Sequence, residues 1–424
     1  MRRVCLTLFL FPIFFFLIYE SVKADSLKIA LITDLHYLSP DLAVEGDALT
    51  AYEKLTGRNI KDLHEVYDKV LNDLINESVD ILLVAGDITN HGEKLSHTGF
   101  IERVMPLTES GTRVFVIPGN HDINIPDAKA YTGTKVTPTE SVAKDEFVSL
   151  YKSFGYDGAL RRDEASLSYL SVLNESTWLL AIDTNRYDEY DKGYTSGGRI
   201  KPQTMEWILD ILKEADSKGV RVLGMMHHGL LEHMLYQNTF FPDYLIENWQ
   251  ENAGLLAEAG LEVVFTGHFH SNDITSYTTT SGKTVYDVET ASLAQYPFAY
   301  RIMKLSDNDL SIDTRFVTAT PGNPDLEKEY LRKLETITRR VADSRLKNLG
   351  IPLSGEMKEV VADLIVKLNI AHVRGDEKQD PEVIAAVKAF ASYLGNEAEE
   401  EDYSFDFPPE DNKLVIKFSS PEDN

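Results

Sequence analysis

Five short strings carry side chains that bind metal ions: Asp34-Leu35-His36, Gly86-Asp87, Gly119-Asn120-His121-Asp122, His227-His228 and Gly267-His268-Phe269-His270. Six of the eleven histidines lie inside them. In Asp34-x-His36 and His268-x-His270 the two donors stand two residues apart, so in extended or gently turning chain they point to the same side. Asp87 follows a glycine, whose backbone freedom permits a sharp turn and lets the carboxylate bridge two cations. Asn120 adds a neutral carbonyl oxygen where more negative charge would be a disadvantage. Carboxylate, amide and imidazole together suit Fe, Mn, Zn or Co better than Ca or Cu. The one cysteine, Cys5, stands at the very start of the chain, so no thiolate ligand or nucleophile is expected further on. Each string alone is weak, because an isolated Asp-x-His arises by chance and a Gly-Asp after a strand is ordinarily a turn.

The elements that must position these residues are legible around them. An apolar strand over Leu27–Ile32 precedes the first string. Ile60, Leu63, Val66, Tyr67, Val70, Leu71, Leu74 and Ile75 recur at three- and four-residue steps, which predicts a helix with one buried face. Strands are expected at 81–84, 114–117, 178–182, 222–226 and 263–265, and shorter β-rich pieces between 274 and 317. Strand, helix, strand is the grammar of an α/β domain, and the hairpin-like later segments predict mixed sheets. Four of the five strings therefore sit just after strands, where side chains converge at one edge of a sheet. From Asp325 the pattern turns helical, with apolar faces over 326–341 and 357–368 and a third helix opened by Asp380-Pro381. An acidic run over 397–402 reads as a solvated linker, and 414–418 as a late strand able to return to a sheet. The expected division is a leader over 1–24, a catalytic domain over 25–320 and a small C-terminal helical domain with an acidic tail over 321–424.

Arg2 and Arg3 precede an apolar stretch from Val4 to Tyr19, and Val22-Lys23-Ala24 has the short residues of a signal-peptide cleavage site. Export is expected, to an extracellular, cell-surface or periplasmic location, with the stretch either removed or kept as an N-terminal anchor. No later apolar run is long enough to span a bilayer. A formal charge of −26 repels long polyanions, so DNA and RNA are poor partners, while a small anion can still be drawn to a locally positive site.

The five strings, in this order, resemble the calcineurin-like metallophosphoesterase superfamily over roughly residues 27–305. The resemblance implies an α/β (α+β) fold, a four-layer αββα sandwich of two mixed sheets, with the helical domain added behind. It implies two transition-metal ions, one held by Asp34, His36, Asp87 and His270 and the other by Asp87, Asn120, His227 and His268. Asp87 would bridge, and His227 rather than His228 would be the ligand of its pair. Such a pair of ions, about 3.5–4 Å apart, activates a bridging water as hydroxide for in-line attack on phosphorus. His121 matches the family histidine that contacts phosphate and protonates the leaving oxygen, with Asp122 to orient it.

Departures narrow the substrate class. Pro118 stands where protein Ser/Thr phosphatases carry an arginine, and Asn90 where purple acid phosphatases carry a tyrosine ligand. The strings 86–93 and 226–229 look most like bacterial phosphodiesterases of the class III cyclic-nucleotide type, some of which carry C-terminal helices. Hydrolysis of cyclic nucleotides or related small phosphodiesters is the leading expectation. A phosphomonoesterase is the enzymatic alternative, and a catalytically silent surface binding protein the alternative of another class. Tyr37, Tyr52, Tyr131, Tyr296 and Phe298 are candidates to stack on a base, although ordinary packing is the simpler role for each.

Overall fold

The computed structural model describes residues 26–192, 194–234, 237–348, 354–375, 377, 380–393 and 408–419. The expected leader lies outside them. Among the described residues no helix is long and apolar enough to cross a membrane.

Two mixed sheets form the centre. In the first, the strand order is 413–417, 309–316, 299–305, 27–32, 81–85 and 113–117. Its last three strands run parallel, while 27–32 pairs antiparallel with 299–305. In the second the order is 274–278, 284–289, 263–266, 221–226, 177–182, 169–174 and 161–162, with 177–182, 221–226, 263–266 and 284–289 parallel to one another.

Side-chain alternation explains the layering. In the second sheet Leu179, Ala181, Leu223, Met225, Val263 and Phe265 join the core shared with Ile29, Leu31, Leu83 and Val116 of the first. Their neighbours Leu180, Ile182, Val222, Met226 and Val264 pack instead with Ile208, Ile211, Leu212 and Leu256 of the outer helices Pro202–Lys218 and Trp249–Glu258. On the far side of the first sheet lie the helices Ile60–Asn76 and Lys94–Glu109. Asn59 caps the former, its side chain accepting from the Asp62 N–H at 3.3 Å. The four-layer sandwich is as expected, and strands covered on both faces explain continuous apolar runs such as Ile81–Ala85.

The C-terminal region contributes helices Leu326–Asn348, Gly355–Arg374 and Pro381–Tyr393. The first is seated by Tyr330, whose ring meets Phe298 at 4.7 Å and whose hydroxyl accepts from the Asn59 N–H at 2.9 Å. The late strand does return: Lys413–Lys417 pairs antiparallel with Asp309–Phe316 and forms the edge of the first sheet. A small third sheet, 43–44, 129–132 and 135–138, lies outside the strands expected from the sequence. Its strands are two to four residues long, too short to carry a periodic signal.

Candidate metal centre

The five strings meet at the C-terminal ends of parallel strands from both sheets. Hydrogen bonds join their loops: Asp34 N–H to the Gly86 carbonyl at 3.1 Å, His36 N–H to Asp87 at 3.0 Å, and Gly267 N–H to His227 at 3.0 Å. The expectation of extended chain across Asp34-x-His36 and His268-x-His270 needs correction. Asp34, His36, Asp87, His268 and His270 all have left-handed backbone, with φ of 51°, 44°, 47°, 72° and 63°. Each strand has ended, and only a sharp turn aims these side chains back across the sheet edge. Such a conformation costs on the order of 1–3 kcal/mol per residue and persists where surrounding contacts enforce it. Gly119 permits the closest approach, since a Cβ there would fall 2.2 Å from Asp87 Oδ1.

The donors fall into two groups that share Asp87. In one, His270 Nε2 lies 3.0 Å from Asp34 Oδ1 and 3.2 Å from His36 Nε2, and His36 Nε2 is 3.7 Å from Asp87 Oδ2. In the other, His227 Nε2 is 3.4 Å from Asp87 Oδ1 and 3.0 Å from Asn120 Oδ1, with the His268 ring 4.8 Å from that of His227. Three of the remaining ring nitrogens are engaged elsewhere: His227 Nδ1 donates to the Ala85 carbonyl at 2.9 Å, His268 Nε2 meets the Asp243 carbonyl at 3.1 Å, and Gln295 meets His270 Nδ1, while His36 Nδ1 is buried without a partner. Each imidazole thus turns one nitrogen toward the cluster. Oxygens and ring nitrogens this close repel through their lone pairs unless a proton or a cation stands between them, and a cation in each group would serve. The residues present fit a dinuclear centre, with Asp87 offering one oxygen to each group.

Electrostatics agree with this fit. Burial acts to raise both central carboxyls, yet adjacent imidazoles hold Asp34 below the usual range, chiefly through His270, and Asp87 well below it, chiefly through His227. Burial pushes His36 well down, reinforced by Arg58, and holds His268 at about 3. His227 moves the other way: burial opposes its protonation, but the Asp87 carboxylate outweighs it and raises the ring to about 9. A proton there does what a cation would do.

His228 has both nitrogens occupied, Nδ1 by the Thr184 hydroxyl at 2.7 Å and Nε2 by the Ser196 carbonyl at 2.8 Å. It supports the wall of the site and leaves His227 to face Asp87. His121 stands beside the first group, its ring 5.0 Å from that of His36, and burial lowers it to about 4. The expectation that Asp122 orients its ring is corrected. The Asp122 carboxylate accepts from the N–H groups of Gly119 at 2.7 Å, Thr89 at 2.8 Å and Ile88 at 3.2 Å, and so ties two ligand loops together. His121 Nδ1 instead meets the Asn90 carbonyl at 3.1 Å and His91 Nδ1 at 3.0 Å, and His91 Nε2 lies 3.1 Å from Asp127 Oδ1. His91 and Asp127 were missed from the sequence; only the position of His91 inside the 86–93 string offered a signal.

The aromatic candidates also sort themselves. Tyr37, Tyr131, Tyr296 and Phe298 are buried in the core, and Tyr52 packs on Tyr131. The rings that border the centre are Tyr194, which receives the Asn120 amide and lies 5.8 Å from His121, and Tyr244, 4.9 Å from His268.

This sandwich, with its paired donor groups at the strand ends, is that of a metal-dependent phosphoesterase. The profile of the calcineurin-like phosphoesterases matches residues 27–272, and the chain belongs to that family, whose members generally bind two metal ions. No curated protein matches it. Among solved structures, it is similar to a dimetal phosphatase from Danio rerio at 14% identity, covering 68% of this chain and 96% of that one, with a TM-score of 0.49. It is also similar to the anchor protein of the Plasmodium inner membrane complex (10% identity, 71% and 86% covered, TM-score 0.36). A predicted phosphoesterase from Streptococcus pneumoniae gives 13%, 71% and 92%, and 0.27. At these scores the three likenesses carry no weight for activity.

Proposed function

We propose that the protein is a dinuclear metal-dependent phosphodiesterase acting on cyclic nucleotides or related small phosphodiesters. The observation that carries this reading is the division of Asp87, with Oδ2 3.7 Å from His36 and Oδ1 3.4 Å from His227. Asp34, His36, Asp87 and His270 would hold one ion, and Asp87, Asn120, His227 and His268 the other. When bound, such ions supply an activated water and neutralise charge on the phosphoryl oxygens.

The chain's own groups do the rest. Arg58 lies near enough to depress His36 and His121 and presents positive charge to an arriving anion. One such guanidinium matches the single negative charge of a diester more closely than the nearly two of a monoester. Tyr194 and Tyr244 offer apolar faces to a base or another organic substituent. His121, steadied through Nδ1 by Asn90 and His91, is the group to pass a proton to the leaving oxygen. Because burial favours its neutral form, that proton is taken up as the anionic ester binds. The expected export would make the natural substrate one found outside the cytoplasm, which N-terminal sequencing of the mature chain from its native host would test.

The test is hydrolysis by metal-loaded protein of bis-p-nitrophenyl phosphate and cyclic nucleotides against p-nitrophenyl phosphate. Preference for the diesters supports the proposal. Preference for the monoester replaces it with a phosphomonoesterase, and two bound ions without turnover of any ester would point to a silent binding protein.

A further inference from the structure

A second knot of histidines and carboxylates lies behind the Gly267–His270 loop, where the C-terminal helices meet the second sheet. It contains His233, Asp273, Asp287 and Glu289, all fully buried, together with His372 near the end of the helix Gly355–Arg374 and Glu377 just beyond it. The Glu377 side chain is only 4% exposed. His233 Nδ1 meets Asp273 Oδ1 at 2.7 Å, and its Nε2 faces Asp287 Oδ2 at 3.3 Å and Glu289 Oε2 at 3.4 Å. His372 Nδ1 meets Glu377 Oε1 at 3.0 Å and Asp273 Oδ2 at 3.7 Å.

The charges do not balance. Four carboxylates face two imidazoles, and among the described residues no lysine or arginine pairs with any of the four. Even with both rings protonated the knot keeps two negative charges, and burying uncompensated charge costs several kcal/mol per ion by order of magnitude. Hydrogen bonding does not resolve this. Asp287 is satisfied by the N–H groups of Leu230 and Leu231 and by the Thr266 hydroxyl, and Glu289 Oε1 by Ser271. Asp273 Oδ2, Glu289 Oε2, Glu377 Oε2 and His372 Nε2 are buried with no hydrogen-bond partner.

We propose that Asp273, His372 and Glu377 bind a further divalent cation, distinct from the dinuclear pair, which clamps the C-terminal helix onto the catalytic sheets. One donor atom from each lies within 4.8 Å of the others. A tetrahedral ion with bonds of about 2.0–2.2 Å spaces its ligands roughly 3.3–3.6 Å apart, so small side-chain shifts close the site. Two carboxylates and an imidazole suit Zn²⁺ or Mn²⁺, and the unpartnered Glu289 Oε2 is a candidate fourth ligand. The clamp also reaches the centre: Phe269, between His268 and His270, lies edge-on to His372 at 5.4 Å.

Metal content of the full chain, loaded with Zn²⁺ or Mn²⁺ and desalted, tests this directly. Three equivalents are expected in the unaltered protein, two in His372→Gln/Glu377→Gln, and one in Asp34→Asn/Asp87→Asn. An unchanged count in the first double variant would overturn the proposal. A count that falls in His372→Gln/Glu377→Gln but not in Asp34→Asn/Asp87→Asn would instead overturn the dinuclear reading and leave this one standing. Should the variants fold poorly, anomalous diffraction from unaltered, metal-loaded crystals decides: a peak among Asp273, His372 and Glu377 supports the site, and none there refutes it.

Discussion

The two sheets contribute unlike chemistry to the centre. Loops of the first bring Asp34, His36, Asp87 and Asn120, and so all of its carboxylate and amide oxygens; loops of the second bring only imidazoles, from His227, His268 and His270. The first set alone would crowd two carboxylates together, and the second alone would gather neutral rings with little to hold a hard cation. Neither sheet contains a site. Closing the sandwich and assembling the centre are therefore one event, and ions that bind across the seam should stabilise the packing of the layers.

The sharpest way to break this comparison is to remove the residue common to both donor groups. Asp87→Ala should abolish turnover and lower metal affinity by more than the ~100-fold typical of losing an outer contact. Full activity with two ions retained would end the two-group description. His121→Ala, by contrast, should leave metal content near normal while slowing turnover by roughly 10²–10⁴, most on esters with poor leaving groups. Equal losses on good and poor leaving groups would remove its role as proton donor.

Stripping the metals tests the seam itself. At free ion about 100 times Kd each site adds about 2.7 kcal/mol, so chelation should lower the melting temperature, and Asp87→Ala should shrink that difference to what the site around Asp273 alone contributes. A smaller effect concerns the support beneath the first-sheet loops. Burial holds His97 at about 4 against an ordinary 6.5, and its Nε2 meets the Asp122 carbonyl at 2.9 Å. The unfolded chain takes up a proton as pH falls through 6.5 while the folded ring refuses one until about 4. Stability therefore falls across that interval by up to about 1.4 kcal/mol per pH unit from this group. Denaturant titrations of metal-loaded His97→Gln should show a correspondingly shallower decline than the unaltered protein.

Much of this was written in the sequence. The central strands and the helix at Ile60 begin and end within a residue or two of where periodicity places them, because strands covered on both faces and a one-sided helix leave plain patterns. The ligand strings were legible because they follow those strands directly. Left-handed backbone at Asp34, His36, Asp87, His268 and His270 was not, since no glycine or asparagine marks those positions. Asp122 was misassigned for a similar reason: adjacency to His121 suggested a side-chain partner, whereas the turn swings its carboxylate onto backbone amides. The His91–Asp127 contact and the buried knot around Asp273 join residues far apart in the chain or across elements, and no local pattern announces them.

The returning strand Lys413–Lys417 has a consequence for anyone who would shorten this protein. It covers the outer edge of Asp309–Phe316, an eight-residue strand whose backbone N–H and C=O groups would otherwise face solvent. A chain ending at residue 320 keeps every ligand of the centre but exposes that edge as a template on which a second copy can add. Such a shortened protein is expected to aggregate at concentrations where the full chain stays dispersed, as light scattering would reveal, and residues 413–417 then act less as a tail than as a guard against self-association.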